Sequence, residues 1–133
     1  MLTFIELFVI AFIMFLIIDL VWLSLIAKKL YDKLIGKLLK TDVNWAAALI
    51  FYVLFISALV IFVLLPGVDK QSLGYVMLYG SLFGFITYAT YDLTNLATLK
   101  DWPLKITIID LIWGTFLGFS TSTLTYLVFN LIF

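Results

Sequence analysis

Cysteine, histidine and arginine are all absent from this chain. The first two absences exclude disulfides, thiolate chemistry and the common zinc sites, and they leave no indication of redox compartment. The third makes lysine the only strong base. Eight lysines balance eight acids, so no basic groove is available and no nucleic-acid partner is expected. Charge is scarce altogether, at 12% of 133 residues, whereas 65% are hydrophobic and 18% aromatic. A soluble domain of this length has too few charged groups to cover that much apolar surface. The N-terminus lacks the basic leader, short apolar core and small-residue cleavage site of a signal peptide, so its apolar run is read as a first span.

What the chain does contain is four long apolar stretches, at about residues 2–27, 43–65, 73–99 and 104–133. Each exceeds the roughly 20 residues that carry a helix across about 30 Å of hydrocarbon. They predict an all-α fold: a four-transmembrane-helix bundle forming one domain, multi-pass in the cell inner membrane. Between the first two spans lies KKLYDKLIGKLLKTD, Lys28 to Asp42. Leu30, Tyr31, Leu34, Ile35 and Leu38 recur there at helical spacing, with Lys29, Lys33, Lys37 and Lys40 towards the other side. That pattern predicts a short basic interfacial helix between helices 1 and 2, lying on membrane lipid. Asp42 is positioned to cap the second span, which Pro66-Gly67 is expected to end. Residues 28–42 hold five lysines, the break around Trp102 holds Lys100 and Lys105, and the middle turn holds only Lys70. The positive-inside rule then puts loops 28–42 and 100–105 in the cytoplasm and both termini outside.

The apolar runs are interrupted by polar residues in a pattern. The stretch YATYDLTNLATLKDWP, Tyr88 to Pro103, sets a carboxylate among tyrosines, threonines and asparagine. An aspartate at the centre of a membrane helix costs about 2.5–3.5 kcal/mol on insertion scales. Asp19 lies nine residues before Lys28, Asp92 eight before Lys100 and Asp110 five after Lys105. At 1.5 Å per residue these are depths of about 13, 12 and 8 Å from the cytoplasmic helix ends. Acids sharing an internal cavity would align in depth; lone lipid-facing acids have no reason to. On the third helix Tyr88, Tyr91, Asp92 and Asn95 form one polar stripe, continued by Gly80 and Gly84. On the fourth, Thr107, Asp110, Gly114, Gly118 and Thr121 form a second. Packing these stripes together against the Asp19 face of the first helix leaves the second helix peripheral. Three ionised carboxylates so close repel, so at least one carries a proton or a bound cation replaces it.

Two segments are alike: Ile17-Ile18-Asp19-Leu20-Val21-Trp22 and Ile108-Ile109-Asp110-Leu111-Ile112-Trp113. An inverted duplication would place them in opposite membrane halves, whereas the topology puts both in the cytoplasmic half. They are read as similar local demands, an acid with an aromatic one turn along. Trp22 and Trp113 therefore join the candidate ion- or substrate-binding set of Asp19, Tyr88, Tyr91, Asp92, Asn95 and Asp110, although packing alone also explains two tryptophans. Interhelical hydrogen-bonding, about 0.6 kcal/mol per pair in measured cases, is the structural alternative for the rest.

The Asp19-Leu20-Val21-Trp22-Leu23 segment, the long YATYDLTNLATLKDWP stretch and Asp110-Leu111-Ile112-Trp113-Gly114 together resemble the family catalogued as domain of unknown function 2177. The resemblance covers essentially the whole chain. It implies a small bacterial four-helix integral membrane protein and draws attention to the same positions, but it brings no activity with it.

On the residues themselves, the expected function is that of a small transporter or channel-like subunit. It would use the aspartate cluster to handle a proton or cation together with a small molecule. By analogy only, small multidrug exporters exchange protons for a cation at a membrane carboxylate within a dimer. Four helices enclose little space, so a homodimer is expected here too. The alternative is a membrane-embedded enzyme or binding protein acting on a lipid or isoprenoid, with Mg²⁺ or another cation held by Asp and Asn oxygens. No separated acid–base pair or phosphate motif favours catalysis. A non-catalytic assembly subunit is the third reading. No cofactor other than such a cation is indicated.

Overall fold

The computed structural model describes residues 1–39 and 42–133. Lys40, assigned above to the basic face, lies outside the described residues. Four helices are long and apolar enough to cross a membrane: Leu2–Leu38, Trp45–Lys70, Leu73–Thr98 and Leu104–Ile132. Among the described residues there is no strand. The fold is all-helical, as the apolar runs predict.

The first helix begins as α1 (Leu2–Trp22), passes through a π-helical segment (Leu23–Ala27) and continues as α2 (Lys28–Ile35). Its buried face is a four-residue repeat, Leu7, Ala11, Phe15, Asp19, resumed by Ala27 and Ile35. Such a repeat drifts around a helix of 3.6 residues per turn, and the wider π turn takes up the drift. Ile5, Val9, Ile13 and Ile17 cover the opposite face and are exposed, as suits lipid. The basic segment expected as a separate interfacial helix is helical but continuous with the first span. Its lysines 28, 29, 33 and 37 are exposed, while Ile35 is buried.

The second helix departs most from expectation. Its N-cap is Asn44, whose side chain accepts from the Ala47 N–H at 3.1 Å; Asp42 is exposed and makes no such cap. It runs as α3 (Trp45–Leu59), a π segment (Val60–Leu64) and α4 (Leu65–Lys70), passing straight through Pro66-Gly67. Proline has no N–H for the carbonyl four residues back. That carbonyl, on Phe62, is within hydrogen-bonding reach of the Tyr75 hydroxyl, at 3.4 Å. The helix ends instead at Gln71, in the left-handed region at φ 49°. Nor is this helix peripheral. Phe55, Ile56, Leu59, Val60, Val63 and Leu64 are buried, in one core with Leu7, Ala11, Phe15, Val76 and Leu117.

α5 (Leu73–Thr98) and α6 (Leu104–Ile132) form the most extensive interface, and α1 packs on α6. Of the paired stripes predicted for this interface, Thr107, Asp110, Gly114, Gly118 and Thr121 on α6 are all buried, whereas on α5 Gly80, Gly84 and Asp92 are buried, Tyr88 and Asn95 are half-buried and Tyr91 is exposed. Glycine is required at the crossing. A Cβ on Gly84 would run into the Gly114 carbonyl, and one on Gly118 into the Gly80 carbonyl. In a membrane, where lipid tails are as apolar as leucine, such close backbone approach is a main source of helix association.

Candidate functional site

Each buried stripe ends on an acid towards the end of the bundle that carries most lysines. The repeat Leu7-Ala11-Phe15 runs into Asp19, Val76-Gly80-Gly84-Tyr88 into Asp92, and the α6 stripe starts near Asp110. The three carboxyl groups are 8%, 0% and 6% exposed. Asp19 and Asp110 line one cavity of about 350 Å³, and Asp92 lies behind its wall against Asp110. Three helices thus bring their acids to one region, as the depth argument predicts.

The cavity is lined mainly by rings. Trp22, Tyr31, Phe51, Tyr52, Tyr88, Tyr91, Trp102 and Trp113 line it together with the two carboxylates; among its described lining residues none is basic. Trp22 and Trp113 stack, with centroids 4.4 Å apart and planes within 9°. The two similar segments therefore meet. Because α1 and α6 are antiparallel, they meet crosswise: Trp113 of one lies beside Asp19 of the other. Tyr91 sets its ring edge-on to Trp102, at 5.8 Å and 85°.

Both cavity carboxylates accept from tyrosine. The Tyr31 hydroxyl donates to Asp110 Oδ1, and the Tyr52 hydroxyl to Asp19 Oδ2 at 3.5 Å. Tyr31 reaches Asp110 because helical side chains lean towards their own N-terminus. Ile35, one turn on, packs with Trp102 and Ile106, and Trp102 Nε1 donates to Thr107 Oγ1 at 3.0 Å. An exposed ion pair, Lys37 to Asp101 at 3.8 Å, links the same two segments at the surface. Asp92 is different. It is fully enclosed, and neither of its oxygens has a hydrogen-bond donor among the described residues.

Six of the eight residues singled out from the sequence line the cavity: Asp19, Trp22, Tyr88, Tyr91, Asp110 and Trp113. Asp92 and Asn95 do not. The α5 stripe is divided, with Asp92 turned to α6, Tyr88 and Tyr91 to the cavity, and half-buried Asn95 beside Tyr91. Among the described residues no three acidic side chains are grouped closely enough to hold a metal ion between them.

Sequence reasoning missed Tyr31, Tyr52 and Trp102. Tyr52 lies eight residues after Asn44, a depth of about 12 Å. The rule that aligned the aspartates finds it too. The signal for Tyr31 is that it carries the one hydroxyl on the apolar face of the basic segment. Trp102 is 8% exposed, packed beneath α2.

Comparison with protein families matches residues 4–127 to one described as "Predicted membrane protein (DUF2177)". No curated protein and no solved structure matches the chain.

Proposed function

This chain belongs to the family of membrane proteins designated domain of unknown function 2177, and we propose that it acts as a small transporter subunit whose cavity binds an organic cation. The observation that carries this reading is the lining itself: two carboxylates within a box of aromatic rings, with no basic side chain among the described lining residues. Aromatic faces attract cations through their quadrupole, most strongly where water is excluded, and such boxes suit ammonium groups. Two buried carboxylates without a basic counter-charge favour either protons or a cation. An arriving cation therefore displaces a proton, and protons return when it leaves.

In this reading the lysine-rich end faces the cytoplasm of an inner membrane with both termini outside, by the positive-inside rule. The exposed lysines of α2 rest on headgroups, and a second copy of the chain completes the enclosure. Asp92 packs on Asp110, close to the exchanging carboxylate.

The test is uptake of tetraphenylphosphonium into proteoliposomes under an imposed pH gradient. Uptake is expected in the wild type and should be lost in Asp19→Asn and Asp110→Asn variants that keep the fold. Saturable binding without uptake would reduce the role to that of a binding subunit. Neither binding nor uptake, but Mg²⁺-dependent turnover of an added lipid, would replace this reading with the enzymatic one.

A further inference from the structure

The cavity has an apolar neighbour. A recess of about 300 Å³ is lined by Phe51 of α3 and by Thr87, Tyr88 and Tyr91 of α5. Phe51, Tyr88 and Tyr91 are also cavity walls, so recess and cavity adjoin across these three side chains. At its mouth Phe51 and Tyr91 are 45% and 57% exposed, on helices whose exposed sides are apolar and face hydrocarbon. Thr87 gives the recess almost no polarity. Its hydroxyl is turned back onto its own helix, donating to the Phe83 and Gly84 carbonyls at 3.0 and 3.1 Å.

On the other flank, a recess of about 600 Å³ shares Leu23, Tyr31 and Leu39 with the cavity and is bordered by Lys28, Asp32, Asn44 and Trp45. Lys28, Asp32 and Asn44 give a small hydrated cation polar groups on that flank. The Phe51–Thr87 recess offers it almost none.

We propose, resting on the cation-binding reading above, that the ligand is a single-chain amphipathic ammonium drawn from the bilayer. Its head sits between Asp19 and Asp110, and its tail lies out through the Phe51–Thr87–Tyr91 gap into lipid. Charge complementarity places the head, and the walls that the apolar recess shares with the cavity, Phe51, Tyr88 and Tyr91, place the tail. A tail that remains in hydrocarbon need not be desolvated again when the head binds, so chain length favours binding beyond simple partitioning.

The experiment is a tryptophan-fluorescence titration of the full chain in lipid nanodiscs with tetramethylammonium and with decyltrimethylammonium, each corrected for partitioning into empty discs. The expected result is at least tenfold tighter binding of the decyl compound after correction. Thr87→Phe, which plugs the gap, should remove that advantage while leaving tetramethylammonium binding unchanged. Thr87→Leu adds less bulk and should act in the same direction if the larger plug prevents folding. Equal affinities for the two cations, or an advantage that survives the plug, would overturn lateral entry and leave the cation reading standing. Failure of both cations to bind would remove the cation reading itself, and this inference with it.

Discussion

The second helix behaves as two different helices. From Phe55 to Leu64 it is a wall of the core, with six of its ten residues buried; from Trp45 to Leu54 none is buried and only Ala48 and Tyr52 are even half so. The rest of the bundle follows the same division. Away from the lysine-rich end, Leu7, Ala11, Val76 and Leu117 close around this wall, and glycines bring α5 and α6 into backbone contact. At the lysine-rich end the second helix withdraws from the core, and the space it leaves is the cavity of acids and rings. One part of the bundle is dry and carries the fold. The other tolerates Asp19 and Asp110 because the space beside them is not filled.

Truncation at matched positions of this helix gives the largest expected contrast. Leu59→Ala, at a fully buried site, should cost about 2–5 kcal/mol, whereas Leu49→Ala, 55% exposed, should change stability by less than about 0.5 kcal/mol. Unfolding in detergent measures both. Equal losses would mean that the helix packs along its whole length. Next comes Gly84→Leu, which forces α5 from α6 and is expected to cost about 1–3 kcal/mol, read in the same assay; an unchanged midpoint would show that the crossing has slack.

Asp110→Asn works at the other end and should reverse the pattern. It leaves the dry core untouched, so the fold should persist while cation affinity falls about tenfold or more, equivalent to about 1.4 kcal/mol. Acidification should act in the same direction, since protonated carboxyls do not pair with a cation. Affinity that rises as pH falls would contradict the carboxylates' role. The smallest effect is expected from Lys37→Ala. The ion pair with Asp101 is exposed on both sides, and its loss should cost less than about 1 kcal/mol in the unfolding assay.

Most of the frame is legible in the sequence because membrane helices are written in length and hydropathy, and because an acid in hydrocarbon needs an explanation. Counting residues from the lysines was enough to bring Asp19, Asp92 and Asp110 to one region. What escaped is what counting does not encode. Pro66 reads as a helix end, yet the helix passes through it just after a π segment, and a tyrosine from the next helix comes within reach of the carbonyl four residues before the proline. Tyr52 and Tyr31 look like packing residues until the neighbouring helices turn them towards Asp19 and Asp110. The polar stripe of α5 appears as one face in sequence, but two partners divide it, α6 taking Asp92 and the cavity taking Tyr88 and Tyr91.

The cation site proposed for Asp19 and Asp110 at the lysine-rich end can be measured directly. Calorimetric titration of tetramethylammonium into the reconstituted protein, at pH 8 and at pH 5, measures this without reference to transport or to the entry route. Saturable binding at pH 8 is expected, weaker at pH 5 and absent from a folded Asp19→Asn/Asp110→Asn double variant. No saturable binding at either pH, or binding that the double variant retains, would contradict it.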